Sequence, residues 1–122
     1  MTDLQVAVRE REGVAVIDLI GDVNGAAGDA LDRAYAEAVG LEGEAAIASV
    51  ALNFEQTEFI NSTGIALIVS LLAQARRQRV EVRAFGLSDH YREIFEITRL
   101  SDFMTIADDE DRAINDGRKE QP

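Results

Sequence analysis

The run Val14-Ala15-Val16-Ile17-Asp18-Leu19-Ile20 limits the fold more than any other stretch of this chain. It is apolar almost throughout, as a strand covered on both faces would be, whereas a strand with one wet face would alternate. Such a strand needs packing layers above and below it. The residues around it supply them. Leu4, Val6 and Val8 alternate with Gln5 and Arg9, the period of a strand with one buried face, and Arg11-Glu12-Gly13 makes a turn into the apolar run. Residues 21–25 form a loop by composition, and a helix follows over about 26–39, with Leu31, Ala34, Tyr35 and Ala38 on one face and Gly40 closing it. Strands are predicted over 47–54, over 80–85 ending at Gly86, and over 103–106. A helix starting at Ser88 carries Ile94, Phe95 and Ile97, and the acidic run 108–111 opens a last helix, where acids suit the positive end. Two strands followed by helix and strand in alternation predict an α/β domain with a mixed, mostly parallel sheet of four or five strands, the first strand antiparallel at an edge. Nothing divides the chain, so one domain over 1–116 with a loose tail over 117–122 is expected.

The segment from Glu58 to Arg79 is where chemistry concentrates. Asn61 and Ser62 both have short side chains able to accept from the free N–H groups opening a helix, and either can cap it. Ile65, Ile68, Val69 and Leu72 fall at i, i+3, i+4 and i+7, which predicts one buried face. Leu67 and Leu71 lie off that face, as further core or as an exposed patch that needs a partner. On these residues alone Ser62 is first a helix cap, and Gly64 a permissive backbone position.

Other chemistries are poorly supplied. The absence of cysteine excludes disulfides and thiol chemistry and suits a reducing cytoplasm. His90 is the single imidazole and no Gly-x-Ser-x-Gly elbow surrounds Ser62, so a hydrolase triad lacks its parts. The acidic run 108–111 lacks the alternating ligands and glycine of a calcium loop, and no Gly-rich phosphate loop is present; no metal, cofactor or catalytic residue is expected. The start of the chain has no basic region followed by an apolar one, and its longest apolar stretch is about half of the roughly 20 residues that cross a bilayer.

Taken together, the order of elements, the turn Asn61-Ser62-Thr63-Gly64-Ile65, Leu19-Ile20-Gly21 closing the second strand, and Ile97-Thr98-Arg99-Leu100 resemble the STAS domain. More narrowly, they resemble stand-alone bacterial anti-sigma factor antagonists. The resemblance implies a binding switch rather than an enzyme: a cytoplasmic protein that sequesters an anti-sigma factor, often a serine kinase, and so frees a sigma factor. It implies that the first hydroxyl residue of the turn, Ser62, is phosphorylated by the kinase, that phosphate breaks the complex, and that a serine phosphatase restores it. Thr63 is the competing acceptor. Asn61, Ser62, Thr63, Gly64, Leu67 and Asn24 are the expected partner-binding residues. Two positions depart from the family pattern, because Asn61 and Asn24 stand where it usually has aspartates. Two further readings stay open: a STAS scaffold subunit of a signalling or transporter-associated assembly, and a sensor of a small anion or nucleotide at the helix N-terminus. A homodimer is compatible with either.

Twelve Lys and Arg against 23 Asp and Glu give a net charge of −11, which repels phosphate backbones and anionic lipid. The protein is therefore predicted to bind neither DNA nor anionic vesicles at physiological salt. A salt-sensitive mobility shift with duplex DNA would contradict this.

Overall fold

The computed structural model describes residues 3–40 and 49–119, with side chains to 115. The strands are β1 (Gln5–Arg11), β2 (Val14–Ile20), β3 (Ser49–Asn53), β4 (Glu81–Phe85) and β5 (Thr105–Ala107). The helices are α1 (Gly28–Val39), α2 (Ser62–Arg77), α3 (Asp89–Ile97) and α4 (Glu110–Lys119). The strands lie in the sheet in chain order, β1 to β5. β1 pairs antiparallel with β2, and every later pair is parallel. This is the mixed, mostly parallel sheet that the sequence predicts. The hairpin turn has Glu12 and Gly13 at φ 51° and 85°, the two left-handed residues of a tight turn whose twist matches that of its strands.

β2 is covered on both faces, as its composition requires. Ala15, Ile17 and Leu19 join the larger core with residues of α1, α2 and α3. Val14 and Val16 join a second core with Ala51, Phe85, Ala107, and Ala113 and Ile114 of α4. The helices between parallel strands thus share one face, and α4 covers the other.

A polar network fastens α4 across the sheet. Arg9 forks onto Asp18 at 2.9 and 3.0 Å and onto Glu110 at 2.6 and 3.0 Å, while Arg11 reaches Glu110 at 2.8 Å. Asn53 donates to Asp18 at 2.7 Å. Asp18, the one charge in the apolar strand, therefore lies on the α4 face with its oxygens satisfied. Buried Arg83 donates to the carbonyls of Ala113 and Ile114 at 3.0 and 3.3 Å and to Glu81 at 2.7 Å.

Several expectations need correction. The first turn after the β2 loop is a 3-10 turn over Gly25–Ala27, and the α-helix begins at Gly28. Gly40 closes α1 but at φ −95°, so it uses no left-handed freedom. Val69 is 45% exposed rather than core, and Leu71 is buried. Ile97 is 72% exposed, because Tyr91 and Phe95 define the inward side of α3 and Ile97 falls opposite them. Phe103 precedes β5 and is exposed. α4 reaches Lys119, taking in the first residues of the expected tail; residues 120–122, like the expected loop at 42–44 and Ile47 and Ala48 of the third strand, lie outside the described residues.

Glu110 is held down at about 2, from an ordinary 4.5, by its hydrogen bond from Arg9, which with Arg11 outweighs the opposing effect of burial. Burial pushes Asp18 up, but hydrogen bonds from Arg9 and Asn53 bring it below its usual value. A depressed carboxylate stabilises the fold above its unfolded value and loses that contribution as pH falls toward the folded one. The melting temperature should therefore drop between pH 4.5 and about 2, and Glu110→Gln should flatten that drop while lowering stability at neutral pH. Thermal melts of both proteins across this window check it.

Candidate functional site

The candidate site forms where the loop after β2 meets the segment leading into α2. Gly21 N–H donates to the Gln56 carbonyl at 3.1 Å, Val23 N–H to Phe59 at 2.9 Å, and Asn61 N–H back to Val23 at 3.2 Å. Val23 and Ile60 thereby form a parallel bridge outside the main sheet. From below, Tyr91 of α3 accepts from the Ile60 N–H at 2.9 Å, and Thr57 donates to the Leu19 carbonyl at 2.9 Å. The entry to α2 is thus fixed from two sides.

The closest approach is at Gly64. A Cβ there would stand 2.1 Å from the Val23 carbonyl oxygen, far inside contact distance. The sequence leaves Gly64 as merely permissive; the structure makes it the position at which α2 touches neighbouring backbone. This contact also sets the rotation of α2. With Gly64 inward, successive residues turn by about 100°, and the buried stripe becomes Gly64, Ile68, Leu71, Leu72 and Ala75. Ile65 and Leu67 flank it as half-buried residues, and Val69 turns outward. Leu67 leans toward Gly28, where a Cβ would lie 3.5 Å from its Cδ2. Of the two leucines left open by the sequence, Leu71 is therefore core and Leu67 lies at the boundary.

Asn61 is the cap of α2: its φ is −93°, its ψ 179°, and its Oδ1 accepts from Gly64 N–H at 2.8 Å. Ser62 is the first helical residue. It is exposed, and its side chain makes no hydrogen bond among the described residues. Thr63 is exposed as well, but its methyl packs on the preceding loop, with Cγ2 3.3 Å from where a Gly25 Cβ would be. Asn24 stands next to Gly25 and caps the 3-10 turn through Oδ1, accepting from Ala26 N–H at 2.9 Å. Both amides thus use an oxygen that a carboxylate would also supply. Keeping them as amides preserves the caps and leaves the turn without their negative charge. Glu58 and Phe59, the latter 52% exposed, stand on the approach to the helix. Sequence patterns did not single out Phe59, Val23 or Tyr91. Each acts through a contact between segments far apart in the chain.

Chemically, the arrangement is a free hydroxyl at the positive end of a helix of 16 residues. The N–H groups of Ser62 and Thr63 have no partner inside the helix, as at any helix start. No group of three His, Cys, Asp or Glu able to hold a metal occurs among the described residues, and none of the described helices is long and apolar enough to cross a membrane. His90 is exposed beside Tyr91, and its side chain makes no hydrogen bond among the described residues.

A family model described as the STAS domain matches residues 5–113. The anti-sigma-B factor antagonist of Listeria monocytogenes is 34% identical over 55 residues, which are 45% of this chain and 48% of that protein. The chain spans about half the length of the curated relatives it matches. Among solved structures, an anti-sigma factor antagonist from Mycobacterium paratuberculosis superposes with a TM-score of 0.78 at 16% identity, covering 95% of each chain. The Bacillus cell-fate determinant SpoIIAA in its phosphorylated form gives 0.66 at 23% identity, covering 94% of this chain and 99% of that one. At these identities the structural likeness is one of fold.

The Gly64 contact gives a direct test. Gly64→Ala gains up to about 1 kcal/mol of helix propensity but must move the Val23 carbonyl. A net loss of about 1–3 kcal/mol in urea unfolding is expected, in the range of an overpacked core. An unchanged midpoint would show that the contact is loose.

Proposed function

This chain belongs to the STAS domain family, and from that premise we propose that it is an anti-sigma factor antagonist whose off-signal is phosphate on Ser62. The protein docks the N-terminal end of α2 on an anti-sigma factor that is also a serine kinase, and so frees a sigma factor. Asn61, Thr63, Leu67 and Asn24 make the partner surface with Ser62, whereas Gly64, expected from the sequence to join them, is buried against the Val23 carbonyl and acts by positioning the helix. The protein acts by binding rather than by catalysis, in the cytoplasm, a setting that a chain without cysteine suits.

The observation that carries this reading is the state of Ser62. Its hydroxyl is exposed and without a hydrogen bond among the described residues, on a turn whose backbone is fastened on both sides. A kinase reaches it without unfolding a strand. Thr63 is the weaker acceptor, because its side chain is already packed on Gly25. A phosphate adds about −1.5 to −2 charge, and the open N–H groups and positive end of α2 accommodate it, so the fold survives modification. Asn61 and Asn24 help here. A carboxylate 4 Å away would oppose each unit of phosphate charge by about 4 kcal/mol at an effective dielectric near 20. A partner packed on Ser62 has no comparable accommodation; it meets added bulk and an unpaired anion to desolvate. A serine phosphatase then resets the switch.

Ser62→Ala should bind the anti-sigma kinase whether or not ATP is present, and Ser62→Asp should bind it poorly at an unchanged melting temperature. Intact-mass measurement and phosphopeptide mapping after kinase treatment locate the modification. Phosphate on Thr63 alone, or none with a kinase that does bind, would refute the assignment.

A further inference from the structure

A second surface lies at the other end of α2, 14 residues from Ser62 and therefore roughly 20 Å along the axis. Two cavities, of about 280 and 590 Å³, meet there on either side of Arg76 and Phe103. The Arg76 guanidinium stands 5.5 Å from the centre of the Phe103 ring, a cation–π contact that holds both side chains between the cavities. The smaller cavity is apolar, with Val69, Leu72, Ala73 and Leu100 in its lining. The larger is mixed, with Arg79, Ser101 and Thr105 beside Val80, Val82 and Met104 in its lining. Val69 and Phe103 are 45% and 53% exposed, so this groove holds two of the large apolar side chains that the fold leaves in water.

Its charges are set against the rest of the molecule. The chain carries 23 acidic and 12 basic residues, yet Arg76 and Arg79 have no carboxylate within 4.0 Å among the described residues. The acids that line the groove are already engaged: Glu81 with Arg83 at 2.7 Å, and Asp102 with Arg99 at 2.8 Å. Backbone conformation adds a second, independent sign. α2 ends in a Schellman turn, with Val80 N–H donating to the Ala75 carbonyl at 2.8 Å and Arg79 N–H to the Arg76 carbonyl at 3.2 Å. The left-handed position of that turn, which favours glycine, is held by Arg79 at φ 60°. The residue after the cap of α3 is Arg99, also left-handed at φ 66°. Two helices that end at one groove both place arginine where glycine would be less strained.

We propose that this groove docks an acidic, amphipathic segment of a partner protein. A bulky apolar side chain seats among Val69, Leu72, Ala73 and Leu100, and flanking carboxylates pair with Arg76 and Arg79. The site is separate from the Ser62 end of α2 and does not rest on its phosphorylation.

The test is a titration of the ¹⁵N-labelled full chain with a synthetic amphipathic peptide of leucine, phenylalanine and glutamate, followed by NMR. A control peptide carries lysine in place of every glutamate. The acidic peptide should shift the amides of Val69, Ala73, Arg76, Arg99 and Phe103, leave Ser62 in place, and bind more weakly as salt rises. Arg79→Gly should weaken it about tenfold while the melting temperature holds or rises, since glycine suits the left-handed turn. That combination separates a binding role from a structural one. Arg76→Gln, on an exposed helix position, is the second variant and should weaken the peptide to a similar degree. Absence of shifts at these amides, equal binding of the lysine peptide, or unchanged affinity in both variants would overturn the proposal. So would shifts that grow with protein concentration before peptide is added, because they would make a second copy of the chain the occupant.

Discussion

The contact of Gly64 with the Val23 carbonyl is the constraint on which the functional half of the molecule depends. It is a steric contact between backbones, and it allows α2 one rotation about its axis. That rotation turns Ile68, Leu71, Leu72 and Ala75 inward and presents Ser62 and Val69 to solvent. The hydrogen bonds of Val23 and Asn61 lock the same two segments edge to edge, so the height of the helix is set together with its rotation. A single missing side chain thus determines which residues of α2 are core and which are available to a partner.

That dependence explains what could be read in the sequence. The strands were legible because a doubly covered β2 has to be apolar and a half-covered β1 has to alternate. The membership of Leu31, Ala34, Tyr35 and Ala38 in one buried face followed from their spacing. In α2 the same method has two answers, since every position from Ile65 to Ala73 but Ser70 is apolar and a periodic stripe can be drawn through Ile65 and Val69 or through Ile68 and Leu71. Hydrophobicity gives a glycine no weight, yet Gly64 is what chooses. The cap went to Asn61 rather than Ser62 for a related reason: the bond from Asn61 N–H to Val23 holds that residue outside the helix in extended backbone. Neither the ion-pair network nor the Arg76–Phe103 contact had a local signature. Each joins residues from different elements, and nothing in the spacing of Arg9, Asp18 and Glu110 announces that they meet.

Asp18 illustrates how a polar residue is kept in a buried strand. A carboxylate that is largely shielded from water needs partners for both oxygens, and the fork of Arg9 with the Asn53 amide supplies them. The same guanidinium then has donors left for Glu110. The second core, built around Phe85 and otherwise of small and medium side chains, is in this way closed by an oriented set of charges at its rim. An apolar contact alone would leave α4 freer to slide along the sheet.

The strands follow one another across the sheet in the order in which the ribosome makes them. Each new strand finds its neighbour already in place, so the sheet can grow by successive addition from the β1–β2 hairpin without waiting for a distant segment. The interval in which β2 and β3 have one face bare is nevertheless long. Ala113 and Ile114, which cover that face, are made after all five strands, and Glu110 is 101 residues from the Arg9 it must find. Until α4 arrives the nascent chain carries an apolar sheet surface with Asp18 and Arg83 on it. Those two charges interrupt the surface and weaken its attraction for other chains during synthesis.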